Sequence, residues 1–301
     1  MKISIIGTGR VGSATAFALL LKGLAHELVM VGRDRTKAEG EARDLQHASA
    51  FIRPMKIYAG TIDATRDSQI VIITASSPWI DTTHRLTMAK DNTAIFREII
   101  PQIARLSPDA ILVVVTNPVD VMTHLALKLS RFSPNKVLGT GTLIDTGRFR
   151  SILAEAWGIN ALDVRAYILG EHGDSQFPAL SVASAGGVKF DEHDQLVMNA
   201  ADQARTGGYE VFKHKGFTNF AVAIASMLIC EAITTDSRAV LPVSTLIDGW
   251  HGVRDVCLSL PVVMGRAGIV RTLPIDLDEQ EIGQLRESAK VLRGVIESLE
   301  V

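Results

Sequence analysis

Two stretches carry side chains that could do chemistry. The first is Gly170-Glu171-His172-Gly173-Asp174-Ser175, which follows directly on the apolar run 164–169. That composition suits a strand ending in a tight turn that aims an imidazole into a cleft. Histidine, with an ordinary pKa of about 6.5, accepts and returns a proton near neutrality. The second is Gly7-Thr8-Gly9-Arg10-Val11-Gly12, three glycines spaced G-x-G-x-x-G. Gly7 would make the tight turn, Gly9 would let the backbone approach a pyrophosphate, and Gly12 would allow close helix–strand packing. Asp145 and Arg148, three apart in a helical pattern over 143–157, project from one face, either into a site or as a surface ion pair.

These groups need elements to hold them. A β-branched run over 2–6 enters the glycine turn, and a helical apolar pattern leaves it, so a helix N-terminus would face the bound anion. Strands at 27–31, 57–59, 69–74, 110–115 and 136–139 alternate with helices at 36–50, 90–107 and 119–130. This alternation predicts an α/β fold, with a Rossmann-type, doubly wound parallel sheet over residues 1–140. The ligand would sit at the C-terminal ends of its strands, where Thr74-Ala75 and Thr116-Asn117-Pro118 fall. From about 141 to 301 the pattern changes to strand pairs (164–169, 178–183, 187–190, 239–244, 256–260) and helices at 194–213, 220–231 and 278–299. This predicts an α+β substrate domain containing an antiparallel sheet.

The strand over 27–31 ends at Gly32-Arg33-Asp34-Arg35. An NAD site usually has Asp or Glu here to hold the ribose 2′-hydroxyl. Glycine removes the carboxylate that would repel a 2′-phosphate, and Arg33 or Arg35 could bind that phosphate through a guanidinium fork. NADP is therefore expected over NAD, with Asp34 as an acidic group one position late in the opposing reading.

Composition narrows the class. The 301 residues are 47% hydrophobic and 21% charged with a net charge of −2, which suits a globular enzyme and gives no reason to expect nucleic acid or an anionic membrane. Cys230 and Cys257 sit in apolar contexts without metal spacing, and read as reduced core residues of a cytoplasmic protein. No metal is expected. No stretch is long and apolar enough to span a bilayer, and 3–6 run into the glycine turn without a signal-peptide cleavage site.

In order and separation, Gly7-x-Gly9-x-x-Gly12, Thr116-Asn117-Pro118, Ile144-Asp145-Thr146-Gly147-Arg148 and the His172 turn resemble the L-lactate/malate dehydrogenase family. The likeness continues to Lys215-Gly216-Phe217-Thr218 and Leu258-Ser259-Leu260-Pro261. It implies that His172 is the catalytic acid/base, oriented by Asp145. Arg148 would grip the substrate carboxylate, Arg85 would polarise the 2-carbonyl, and Asn117 and Thr218 would line the substrate. The expected cofactor contacts are Gly7, Gly9, Arg10, Val11, Gly12, Gly32, Arg33, Arg35, Thr74, Ala75, Asn92, Thr116 and Asn117. A homodimer or homotetramer is implied as well.

Within the family, the residue after Pro78 discriminates substrates, with glutamine typical of lactate enzymes and arginine of malate enzymes. Trp79 stands there, so a second substrate carboxylate would lack a partner. The chain is expected to act on lactate-like or bulkier apolar 2-hydroxy acids, as similar L-2-hydroxyisocaproate dehydrogenases do. A malate dehydrogenase of the lactate-dehydrogenase-like type is the alternative. An NAD-dependent glycosidase would need a cysteine–histidine metal site that the cysteine contexts do not offer. A nucleotide sensor would have no use for a general base.

Overall fold

The computed structural model describes residues 1–77, 85–191 and 194–299, except the side chains of 85–87. The first half runs β1 (Lys2–Ile6), α1 (Arg10–Lys22), β2 (Glu27–Val31), α2 (Arg35–Ser49), β3 (Lys56–Gly60), β4 (Ile70–Ile73), α3 (Arg85–Leu106), β5 (Ile111–Val114), α4 (Val119–Ser130) and β6 (Val137–Gly139). Its six strands are parallel, in the spatial order β6-β5-β4-β1-β2-β3. Every residue of β4 and β5 is buried, as expected when helices cover both faces of a sheet. The order reverses between β1 and β4, and the glycine turn leaves β1 at that switch point.

The second half comprises α5 (Leu143–Trp157), β7 (Val164–Arg165), β8 (Ile168–Leu169), β9 (Phe177–Pro178), β10 (Ser184–Ala185), β11 (Val188–Lys189), α6 (Gln195–Lys215), α7 (Phe220–Thr235), β12 (Val240–Asp248), β13 (Arg254–Gly265), β14 (Gly268–Thr272) and α8 (Glu279–Ser298). The antiparallel strands β12–β14 do not form a sheet of their own. β12 pairs with β6 at Ser244 and Gly139 and extends the parallel sheet to nine strands.

Three sequence expectations need correction. The apolar run 164–169 breaks into β7 and β8, which belong to different small sheets. The span 178–183 is largely a helical turn at Leu180–Val182, because Phe177-Pro178 pairs with β8 and the chain must then turn back. β14 adds to the expected strands, since only its first two residues are buried and Val270-Arg271-Thr272 is exposed, which leaves no long apolar run to mark it.

Apolar clusters fill both faces of the large sheet. One lies under α3, α4 and α8 and the other under α1 and α7. A third packs α5 against α6 and the β7–β10 ribbon. Thus α4 packs into the first cluster and α5 chiefly into the third, which holds both helices of the candidate site against core.

Candidate active site

The glycine turn forms a backbone cradle. Gly7 adopts φ +114°, open to glycine and strained for other residues, and a Cβ on Gly12 would stand 1.9 Å from the Gly7 carbonyl oxygen. Thr74 Oγ1 donates to that carbonyl at 2.9 Å, which ties the end of β4 to the turn. Gly9 caps α1 without a side-chain hydrogen bond, and a Cβ there would meet nothing within 4 Å. Bare amides at an open helix N-terminus fit a pyrophosphate. The Arg10 guanidinium stacks over the Phe217 ring at 3.9 Å, so the turn carrying Thr218 lies against the start of α1. Val11 is half-buried in the first turn of α1.

At the end of β2, a Cβ on Gly32 would meet Thr8 Oγ1 at 2.3 Å, so Thr8 occupies the space a larger residue would need. The Asp34 carboxylate caps α2 by accepting from the Lys37 N–H at 3.1 Å, and Arg35 pairs with Glu39 at 2.9 Å on the surface. Arg33 is exposed.

The next strand ends are bound together. Thr116 Oγ1 donates to the Ala75 carbonyl at 2.8 Å. Asn92, fully buried on α3, accepts from the Ser77 N–H and donates to the Asn117 carbonyl, each at 2.7 Å. Both ends of its amide are thus spent on bracing the loops after β4 and β5. Asn117 is exposed beside this brace, its Oδ1 accepting from Val119 N–H at 3.3 Å.

The proton site lies where α5 meets the turn after β8. Asp145, 3% exposed in its side chain, holds His172 Nδ1 at 2.5 Å through Oδ2 and Arg148 Nη1 at 2.6 Å through Oδ1. A carboxylate only accepts, so Nδ1 carries the proton. Burial works against charge on both Asp145 and His172. The mutual attraction outweighs it, leaving Asp145 below and His172 above their ordinary pKa values, with Arg148 also favouring the carboxylate. Gly170, at φ +86°, exchanges backbone hydrogen bonds with Ser259 on β13, and Ser288 on α8 donates to the Ser175 carbonyl at 2.6 Å. The turn is therefore clamped from two further elements.

Arg148 lies against α6, where Cβ atoms on Gly207 and Gly208 would stand 3.4 and 3.3 Å from its side chain. Sequence reasoning missed this glycine pair, although two adjacent glycines inside a long helix were a visible signal. It also missed Asp120, whose Oδ2 accepts from the His172 main-chain N–H at 2.7 Å. A carboxylate just past Thr116-Asn117-Pro118, in a helix otherwise apolar at its start, could have drawn attention to it. Trp79 lies outside the described residues. Arg85 begins α3, and its side chain is likewise outside them.

Residues 1–139 match the family described as lactate/malate dehydrogenase, NAD binding domain, and residues 142–300 match its alpha/beta C-terminal domain. This chain belongs to the lactate/malate dehydrogenase family. Among relatives, it is 40% identical over 309 residues to an L-lactate dehydrogenase of Acetivibrio thermocellus, covering 100% of this chain and 98% of that protein. An L-lactate dehydrogenase of Clostridium botulinum is 40% identical over 304 residues, 98% and 96% of the two chains. Among solved structures, a lactate dehydrogenase from a Medee basin deep-sea metagenome library superposes with a TM-score of 0.95 at 34% identity, over 100% and 99% of the chains. The minor L-lactate dehydrogenase of Enterococcus mundtii, in a ligand-bound form, gives 0.95 at 32% identity, over 99% and 98%. As a lactate/malate dehydrogenase family member with an intact cradle and His–Asp pair, the chain has the parts for a nicotinamide-dependent oxidoreductase of 2-hydroxy acids.

Proposed function

We propose that this chain is an NAD(P)-dependent L-2-hydroxyacid dehydrogenase acting on lactate-like or larger apolar substrates. The observation that carries the reading is the Asp145 carboxylate shared between His172 and Arg148. The cradle and the proton site are linked by one series of bonds: Thr74 to Gly7, Thr116 to Ala75, and Asp120 to His172. Residues 1–140 would hold the cofactor and residues 141–301 the substrate.

A bound nicotinamide supplies the hydride. The α1 amides of residues 9–12 would hold the pyrophosphate, and the strand ends at 74–75 and 116–117 would border the rest of the cofactor. His172 Nε2 gives a proton to the developing alkoxide, and Asp145 fixes the ring and favours the imidazolium. Arg148 keeps guanidinium N–H groups beyond the one used by Asp145, and these form parallel bonds to the substrate carboxylate. Arg85, Asn117, Thr218 and Trp79 are assigned to the substrate from the sequence motif.

Preference for NADPH over NADH is part of the proposal. It is supported by Gly32, which offers no carboxylate, by the exposed Arg33, and by Asp34 being committed to a helix cap. The family description names NAD, which makes the comparison of the two cofactors decisive. A homo-oligomer is proposed from the apolar face of Phe17, Leu21, Phe220 and Ile224, all exposed on the packed helices α1 and α7. Both cysteines are buried and free, consistent with a reducing cytoplasmic setting. Among the described residues no helix is long and apolar enough to cross a membrane.

The test is oxidation of NADH and NADPH over a panel of 2-keto acids. Pyruvate and branched 2-keto acids should be reduced faster than oxaloacetate, and Trp79→Arg should reverse that ranking. Preferred reduction of oxaloacetate by the wild type would refute the substrate reading, and no reduction of any 2-keto acid would refute the function.

A further inference from the structure

Asp120 is buried in the first turn of α4, and the hydride-transfer reading uses only its bond to the His172 main chain, not its charge. Its Oδ2 accepts from the His172 main-chain N–H at 2.7 Å, while Oδ1 has no hydrogen-bond partner among the described residues. Holding the turn needs a single acceptor, and Oδ2 supplies it, so the second carboxylate oxygen, buried and unpartnered beneath His172, is not needed for the anchor. The retained charge therefore points to a role beyond anchoring.

The groups that face Asp120 come from three other elements. Ser244 on β12 lies beside it, its hydroxyl short of hydrogen-bond geometry; Cys257 is on β13; Glu171 and His172 belong to the turn itself. His124, one turn along α4, is held toward its neutral form by burial and by Lys128. His172 is thus the neighbour that takes up positive charge near neutrality. Burial pushes the Asp120 carboxyl up to about 7, with Ser244 and His172 opposing and Glu171 adding to the rise. In the other direction, burial disfavours the imidazolium while Asp145 and then Asp120 favour it.

We propose that Asp120 is a positioning residue for proton transfer, holding the His172 main chain and placing an ionisable charge beneath it, so that the proton affinity of His172 depends on the charge of Asp120. When His172 gives up its proton, the field that keeps Asp120 ionised weakens and Asp120 binds a proton more readily. Return of a proton to His172 reverses the exchange, so the two groups titrate as a pair. The proposal rests on His172 being the proton donor of the dehydrogenase reading.

The experiment is an NMR titration of the His172 imidazole in the wild type and in Asp120→Asn, with the signal assigned by its loss in His172→Asn. The asparagine oxygen still accepts the N–H of residue 172, so the turn is kept while the charge is removed. The midpoint should fall by about half a pH unit, about a threefold loss of proton affinity. The high-pH limb of pyruvate reduction should move with it at unchanged KM. An unmoved midpoint in folded Asp120→Asn overturns the proposal and leaves Asp120 as an anchor alone. The midpoint does not depend on turnover, so a wild type inactive on every 2-keto acid would sink the dehydrogenase reading separately. If Asp120→Asn does not fold, the amide of residue 172 in His172→Asn decides. Its chemical shift should follow Asp120 at a midpoint higher than the same amide shows in the wild type, because the imidazolium that favours the carboxylate is gone, and equal midpoints overturn the proposal.

Discussion

Asp145 Oδ2 lies 2.5 Å from His172 Nδ1, which leaves Nε2 as the ring nitrogen open to chemistry. The pair fixes tautomer and ring plane together, and it raises the proton affinity of His172 against the opposing effect of burial. Reduction of a 2-keto acid needs the imidazolium. Its kcat/KM should therefore hold at low pH and fall as pH rises through the raised His172 midpoint. Oxidation of the 2-hydroxy acid needs the neutral ring and should show the opposite limb. A reductive rate that rises with pH would remove His172 from the donor role.

Asp145→Asn keeps the shape of the pair and removes its charge. Loss of the preferred tautomer in such a pair costs on the order of 10,000-fold in kcat. The reductive limb should also move to lower pH, because the imidazolium loses its principal counter-charge. Steady-state kinetics over a pH series measures both. A kcat near that of the wild type would mean that Asp145 serves only to pair with Arg148.

The glycine pair of α6 gives a prediction with two signs. Glycine inside a helix costs about 1 kcal/mol relative to alanine. A Cβ on Gly208 would stand 3.3 Å from an Arg148 guanidinium nitrogen, closer than most such contacts. Gly208→Ala should therefore raise Tm by about 1–3 °C for a chain of this size, while raising KM for pyruvate severalfold by displacing the guanidinium. Arg148→Lys should raise KM much further, since an ammonium cannot form the bidentate fork. If Gly208→Ala raises Tm but leaves KM unchanged, Arg148 has room to yield, and the glycines serve something else.

Asn92→Ala should loosen the cofactor side. The wild-type amide braces Ser77 to Asn117, and its removal takes away two partly buried hydrogen bonds, one to the Ser77 N–H and one to the Asn117 carbonyl. Each such bond contributes about 0.5–1.5 kcal/mol. Both Tm and the affinity for reduced cofactor should fall, as read by thermal unfolding and by nucleotide fluorescence titration. A variant with lower Tm and unaltered Kd would separate the brace from the cofactor site.

Much of this was legible in the sequence because the relevant signals are local. The β1–glycine–α1 unit follows from alternating apolar runs and three glycines, and the His172 turn from its own hexapeptide. The resemblance then tied Asp145 and Arg148 to His172. What was not legible depends on contacts between distant segments. Nothing near Val240 announces that β12 will pair with Gly139 and continue the parallel sheet. The resemblance counts Asn92 among the cofactor contacts, but only the fold shows its amide spanning two loops. Asp120 stands in the first turn of α4, where an acid commonly favours a helix N-terminus, and only the fold closes the His172 turn over it. The ribbons β7 to β11 fall in or beside the strands expected at 164–169, 178–183 and 187–190, but two-residue strands carry too little alternation to show where each breaks.

Thr8 occupies the space that a carboxylate at position 32 would need. A Cβ on Gly32 would meet Thr8 Oγ1 at 2.3 Å, so Gly32→Asp alone forces two side chains into one space. That variant should bind both NADH and NADPH poorly, and its loss would say nothing about the 2′-phosphate. Thr8→Ala removes the obstructing hydroxyl. Thr8→Ala combined with Gly32→Asp and Arg33→Ile should let the carboxylate reach a ribose 2′-hydroxyl and should withdraw the guanidinium from a 2′-phosphate. Charge-assisted bonds of this kind contribute about 1.5–3 kcal/mol, so the ratio of kcat/KM for NADPH over NADH should drop by about 10- to 150-fold. Thr8→Ala by itself should leave the ratio where it is, since it alters neither charge. A wild type that already prefers NADH, with a ratio unmoved by the triple change, would show that cofactor choice is made elsewhere than at Gly32-Arg33.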